Sequence, residues 1–168
     1  MSKVSPAGME IRQATPDDAE AISALVQELG PACMEDFGPQ GLANFLMPNT
    51  PDKTRERLQR EDSFSLVCAS DTRLVGIITI KQYRKIDQLF VARDYWRCGI
   101  ATRLWLAALD RIKANEQTDD IHVRSSTAGV PVYQRFGFKI VGEKGFVNDI
   151  FYYPMILTLD ENADDNKN

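Results

Sequence analysis

Histidine is nearly absent from this chain of 168 residues, and the three cysteines, Cys33, Cys68 and Cys98, form no CxxC pair. A lone His122 and three scattered thiols do not make a structural zinc site. An odd cysteine count does not make a disulfide framework, so no metal is expected and a reducing, cytoplasmic setting is the default. Basic charge is not in excess either: 20 Lys and Arg against 24 Asp and Glu leave a net charge of −4. A duplex-binding protein needs a basic face, so no nucleic-acid partner is expected. The longest largely apolar run, Leu74 to Ile80, is far short of the roughly 18 residues of a membrane span. The opening Met1-Ser2-Lys3-Val4-Ser5-Pro6 has no apolar centre for a signal peptide. GxGxxG and GxxxxGK[ST] loops are missing, which leaves NAD and ATP readings without a motif.

What is present is an ordinary globular mixture, 43% hydrophobic and 26% charged, at a length that suits one domain. That domain is expected to span 9–159. Residues 160–168 carry four acids and no hydrophobe larger than alanine, so they read as a disordered acidic tail. Met9 to Ala14 suits a first strand. Thr15-Pro16-Asp17-Asp18 announces a helix by cap, proline and acids, and Gly30-Pro31 reads as its stop. Gly38-Pro39, Gly41 and Pro48 imply short helical pieces and loop, and Thr50-Pro51 opens a charged helix to about Gln59. Strands follow near Ser63–Leu66, Leu74–Ile80 and Lys85–Val91. From Gly99 to Asn115, Ile100, Leu104, Ala108 and Ile112 form one apolar stripe of a long helix. Ile121–Val123 is a strand, Val130–Phe136 a short helix, and Phe138–Val141 and Ile150–Leu159 close a mixed sheet. Pro154 pushes the last strand toward an edge or a bulge.

The segment Leu89-Phe90-Val91-Ala92-Arg93-Asp94-Tyr95-Trp96-Arg97-Cys98-Gly99-Ile100-Ala101-Thr102 is a strand, a charged turn and a glycine opening that helix. A helix start leaves N–H groups unpaired and carries about half a positive charge. Glycine there admits a bulky anion to the backbone, and Arg97 and Arg103 add charge, so the segment describes a diphosphate cradle. Taken alone, the same residues also fit a plain strand–helix junction.

The segment resembles the acyl-CoA-binding core of the GNAT superfamily of N-acetyltransferases, with Leu89-Phe90-Val91 as the strand and Gly99-Ile100-Ala101 as the end of the loop. Trp96 stands where that family has Gln or Arg. Ser125-Ser126-Thr127-Ala128-Gly129-Val130-Pro131-Val132-Tyr133, leading to Gly137-Phe138, is similar to the family's late segment, with Arg124 in place of Asn. The resemblance covers roughly residues 9–159. It implies an α/β fold with a mixed, mostly antiparallel sheet of about seven strands and about four helices, splayed between the fourth and fifth strands. It also implies acetyl transfer from acetyl-CoA to an amine, without metal, by direct attack in a ternary complex.

On the same resemblance Leu89, Phe90 and Val91 pair with pantetheine, the Val91 N–H faces the thioester oxygen, and Arg97, Cys98, Gly99, Ile100, Ala101 and Thr102 hold the diphosphate. Tyr133 corresponds to the general acid, its other reading being a core aromatic. Asp87 corresponds to the general base; alternation puts it on one face with Leu89, and its other reading is an acid paired with Lys85 or Arg84. His122 reads as a hydrogen-bonded structural residue and Cys98 as a passive thiol. Trp96 stacks on adenine or covers apolar surface. Met34, Phe37, Phe45, Leu46 and Met47 wall the acceptor pocket or belong to the core. The acceptor is a small amine or a protein amine, with the acidic composition and Asp87 leaning toward a small cationic one. The protein is expected to be a monomer or homodimer with no membrane partner. The off-pattern Trp96 and Arg124 keep a second reading open, a weakly catalytic or non-catalytic acyl-CoA sensor.

Overall fold

The computed structural model describes residues 8–33, 37–116 and 118–159; the acidic tail and Met34 lie outside them. The elements are β1 (Glu10–Gln13), a 3-10 turn (Pro16–Asp18), α1 (Ala19–Cys33), α2 (Gly41–Leu46), α3 (Pro51–Leu58), β2 (Ser63–Ala69), β3 (Leu74–Lys81) and β4 (Lys85–Val91), followed by α4 (Ile100–Ala114), β5 (Asp120–Ser125), α5 (Val130–Arg135), β6 (Lys139–Ile140), β7 (Gly145–Val147) and β8 (Ile150–Thr158). The strands lie in the order β1-β2-β3-β4-β5-β8-β6, with β7 also pairing β8. Every pairing is antiparallel except β4 with β5. The mixed, splayed α/β architecture therefore matches expectation. β7 adds a short strand that its three residues were too few to announce.

Alternation in β2 and β3 divides the core between two helical layers. Phe64, Leu66 and Cys68 stand opposite Ile80, Ile78 and Gly76. This face meets α4, where the Leu104 and Ile100 side chains come up against Gly76. Trp105 of α4 stacks on Phe136 and meets Phe138 edge-on, with centroids 5.7 and 5.4 Å away, which brings α5 onto the same side. The other face carries Val67, Val75 and Ile77 toward α1, whose Ile22, Val26 and Leu29 are almost fully buried. Each such aliphatic contributes about 1.5–3 kcal/mol on burial.

Two local expectations are corrected. Gly30-Pro31 does not stop α1, which runs on to Cys33. Gly30 instead leaves room for the Phe45 ring of α2, which would collide with any Cβ there, and Pro31 sits in the last turn, where its missing N–H costs one bond. β8 is not an edge strand either, because β5 flanks one side and β6 and β7 share the other. Pro154 lies at their seam. The Val141 N–H reaches the Pro154 carbonyl at 2.9 Å, but proline returns no donor, and β6 ends at Ile140.

A buried polar chain ties the α1 side to β4. The Ser65 hydroxyl meets Thr79 Oγ1 at 2.8 Å, Thr79 Oγ1 donates to Gln88 Oε1 at 3.1 Å, and Gln88 Nε2 donates to Asn49 Oδ1 at 2.9 Å. The Asn49 carbonyl accepts from Ser23 Oγ at 2.6 Å. Such a chain is stabilising only when every member is satisfied, so it holds β4 at a defined height against α1.

Candidate active site

β4 and β5 pair at only two positions, Lys85 with His122 and Ile86 with Val123. Beyond Ile86 they part: β4 stays with β3 as far as Val91 opposite Gly76, while β5 follows β8. The gap runs along β4 for about 17 Å at ~3.3 Å per residue.

Ladder parity decides which groups face it. The Ala92 N–H donates to the Val75 carbonyl at 2.8 Å, so Phe90 and Gln88 exchange bonds with β3 and the amides of Leu89 and Val91 point into the gap. Phe90 offers no backbone group there. Its ring instead meets Phe45 edge-on at 6.4 Å on the α1 side. Phe45 is thus core, while Met47 stands 68% exposed. Phe37 bridges to Ile150, and the following segment is tied to the β7–β8 turn by the Gly38 N–H to the Asp149 carbonyl at 2.8 Å and Asn44 Nδ2 to the Asn148 carbonyl at 2.9 Å. These contacts link loops more than a hundred positions apart, and no local signal foretells them.

The turn after β4 rises through a 3-10 segment (Arg93–Tyr95) to Trp96. Arg97 has φ of 61° and Gly99 has φ of 80°, two left-handed steps that direct the chain into α4. Gly99 tolerates this region without strain, and a Cβ built on it meets nothing within 4 Å. The first bond of the helix start runs from the Arg103 N–H to the Gly99 carbonyl at 3.0 Å, so the amides of Ile100, Ala101 and Thr102 have no acceptor within α4. Arg97 lies exposed at this mouth. The Arg103 guanidinium is turned to the Met9 carbonyl at 3.2 Å. Trp96 neither covers core nor hangs free: its indole N–H donates to the Val91 carbonyl at 2.6 Å, under the Arg93 guanidinium at 5.6 Å. Cys98 is half-buried, its thiol 3.7 Å from the Trp96 carbonyl.

Asp87 departs from the expected geometry. The register slips between Thr79 and Ile80, pairing Thr79 with Gln88 and Ile80 with Ile86, so Asp87 is the extra residue of a β-bulge. The bulge breaks alternation: Leu89 stands opposite Ile78 on the α4 face, whereas Asp87 turns to the α3 side. Its partners are not Lys85 or Arg84 but Lys81 at 3.3 Å and Arg57 at 3.9 Å. Burial pushes the Arg57 guanidinium below its usual pKa while Asp87 pulls it back.

Tyr133 sits on α5, 9% exposed, with its ring edge-on to Phe136 and Phe138. Its hydroxyl makes no hydrogen bond to a described residue, and burial pushes the phenol well above its ordinary pKa of 10.0. The ring packs against core aromatics, and burial keeps its hydroxyl protonated at neutral pH.

Where β4 and β5 close, an open depression of about 470 Å³ is lined by Arg84, Lys85, His122, Arg124, Tyr152 and Ile156 among others. A smaller, mostly apolar hollow of about 170 Å³ adjoins it across Arg124 and Tyr152. His122 Nε2 lies 3.0 Å from Asp120 Oδ1, which Arg84 also contacts at 3.0 Å, so the histidine is hydrogen-bonded as expected. The depression was missed in the sequence, where its residues lie on separate strands; the departure at Arg124 was its one visible sign. No group of three or more potential metal ligands occurs among the described residues, and no helix there is long and apolar enough to cross a membrane.

A sheet opened at one parallel pair, with unpaired amides leading to a helix start, defines a class of folds built to take an extended carrier between strands. The chain belongs to the GNAT acetyltransferase family, whose domain matches residues 33–159. The same fold occurs in the PaiA N-acetyltransferase of Thermoplasma acidophilum, solved with coenzyme A, at 18% identity over 90% of this chain and 99% of that one, TM-score 0.78. A GCN5-related N-acetyltransferase of Rhodopseudomonas palustris is 20% identical over 95% of this chain and 99% of that one, TM-score 0.73. An aminoglycoside 6'-N-acetyltransferase complexed with coenzyme A is 16% identical over 89% and 96%, TM-score 0.66. No curated protein sequence matches this chain.

Proposed function

We propose that this protein is an N-acetyltransferase that moves the acetyl group of acetyl-CoA to a primary amine by direct attack in a ternary complex. The observation that carries the reading is the β4–β5 gap, with the Leu89 and Val91 amides facing it and the Gly99 cradle and the α4 amides at its mouth. These residues fit the carrier: space for a diphosphate over Gly99, donors at Ile100, Ala101 and Thr102, and the exposed charge of Arg97. Cys98 lies in the same loop and contributes backbone.

Acetyl-CoA supplies an activated thioester. The Val91 N–H stabilises the negative charge that develops on its carbonyl oxygen when the amine nitrogen bonds to carbon, while the Leu89 N–H pairs with the carrier. Tyr133 gives its proton to the departing sulfur as the carbon–sulfur bond breaks, and recovers one from solvent. Asp87, one-fifth exposed, takes the proton from the amine nitrogen through water. Because Lys81 and Arg57 already share its charge, Asp87 gives little support to the small cationic acceptor favoured on sequence grounds. A reducing, cytoplasmic setting is proposed on the odd cysteine count and the lack of a CxxC pair.

Calorimetry with acetyl-CoA, followed by thiol release across a panel of amines, tests this. Absence of binding at millimolar ligand refutes it. The Trp96 bond to the Val91 carbonyl favours the sensor reading in one respect, since it removes an acceptor that pantetheine would use. Binding without thiol release from any amine would decide for the sensor.

A further inference from the structure

The closed end of the gap carries a charge opposite to that of the whole protein. The chain is net −4, yet no carboxylate lines the depression there, while Arg84, Lys85, Arg124 and His122 do. Asp120 pairs with Arg84 and is hydrogen-bonded to His122. Nothing comparable balances the other two. Among the described residues Arg124 has no ion pair, and its guanidinium lies over the Tyr152 ring at 4.9 Å. Lys85 is half-buried beside it, and burial, then the charge of Arg124, lower its pKa against the pull of Asp87.

Position separates this patch from the diphosphate loop. Arg124 follows Val123, the last β5 residue to pair with β4, so it stands across the opening gap from Asp87. The Gly99 cradle lies beyond the far end of β4, roughly 20 Å from Lys85 along the strand. Arg124 and Lys85 are thus on the acceptor side of the point where the thioester would meet Leu89 and Val91. Two cations without a salt-bridge partner in a concavity lower in energy when an anion sits between them, and a guanidinium resting over a ring keeps its N–H groups for a paired contact with carboxylate or phosphate.

We infer that the acceptor carries an anionic group beside its amine, and that Arg124 with Lys85 holds this group at the closed end of the β4–β5 gap. The inference rests on the acetyltransferase reading and names the substrate class of that site.

Thiol release from acetyl-CoA is measured with matched pairs: phenylalanine against phenylalaninamide, phosphoethanolamine against ethanolamine, and putrescine as a purely cationic amine. The anionic member of at least one pair should lead in kcat/KM by roughly 10-fold or more, and which pair responds distinguishes carboxylate from phosphate. Arg124→Gln should collapse that preference through the acceptor KM, with the KM for acetyl-CoA held within about twofold. Arg124→Lys, which keeps the charge, should retain part of it. Equal rates within both pairs, fastest turnover of putrescine, or a preference that survives Arg124→Gln would overturn the inference. So would a rise in the acetyl-CoA KM alone, which would assign the patch to the cosubstrate.

If no amine turns over, acetyl-CoA binding still judges the acetyltransferase reading. N-acetylphenylalanine and its amide are then titrated onto the protein by calorimetry. Selective binding of the acid, lost in Arg124→Gln, upholds the anion site; failure to bind it, or equal binding of the amide, rejects it.

Discussion

Replacing Tyr133 by phenylalanine should separate stability from turnover. The side chain is largely buried and its hydroxyl makes no hydrogen bond to a described residue, so its removal breaks no bond in the fold and relieves a partly desolvated polar group. The expected change is neutral to stabilising, by about 0–1 kcal/mol, or up to roughly 4 °C in melting temperature for a chain of this size. The ring contacts with Phe136 and Phe138 persist. Turnover, measured as thiol release at saturating acetyl-CoA with an active amine, should fall by about 10²–10⁴-fold, the usual worth of a positioned acid. The pH dependence of stability adds a second readout. Burial raises the folded-state pKa of the phenol above the ordinary 10.0, so its stabilisation is complete below that value and is lost as pH rises toward the folded-state value. Above pH 10 only the unfolded chain ionises this group, and stability should decline by up to ~1.4 kcal/mol per pH unit on its account. Phenylalanine should remove that share of the alkaline decline. Full turnover in the variant would refute the acid assignment, and a clear loss of stability would show that the hydroxyl is bonded after all.

Asp87→Asn should lower kcat by roughly 10- to 100-fold if Asp87 takes the amine proton, and should cost about 1–3 kcal/mol in chemical denaturation because the half-buried Arg57 loses its partner. Unchanged kcat with that same destabilisation would leave Asp87 a purely structural acid. Gly99→Val forces a β-branched residue to φ near 80°; it should cost about 1–2 kcal/mol and weaken acetyl-CoA binding by at least ~10-fold, measured by calorimetry, because its side chain enters the diphosphate space. Asp18 accepts from Arg12 at 2.8 and 2.9 Å and from the Thr15 N–H at 2.8 Å, and the Arg12 bond chiefly holds its carboxyl below the usual 3.8. That stabilisation is present above 3.8 and is lost as pH falls through the lower folded-state value. Asp18→Asn should therefore cost about 1 kcal/mol at neutral pH, kept small by the exposure of Arg12, with the difference closing in acid. A difference independent of pH would contradict it.

Periodicity and capping made most elements legible. The β-branched runs at Leu74–Lys81 and Lys85–Val91 and the apolar stripe of α4 appear within a few residues of their expected bounds, and the family's two motifs located the splay. Short-range rules misled where a distant contact intervened. Gly30 marks the approach of Phe45 rather than a helix end, and Pro154 marks a change of partners rather than an edge.

By itself the sequence determined the layers and the glycine that opens α4, because these follow from local backbone preference and from side-chain period, while the strand beside the gap came from the resemblance of its motifs to the family. Only the tertiary structure decided the role of Asp87, since one extra residue in β4 shows no trace in composition yet turns the carboxylate to Lys81 and Arg57. It alone also decided the character of the acceptor side. An acidic chain gathers Arg84 from the β3–β4 turn, Lys85 from β4 and Arg124 from β5 into one depression, and Coulomb interaction depends on distances that the order of residues along the chain does not contain.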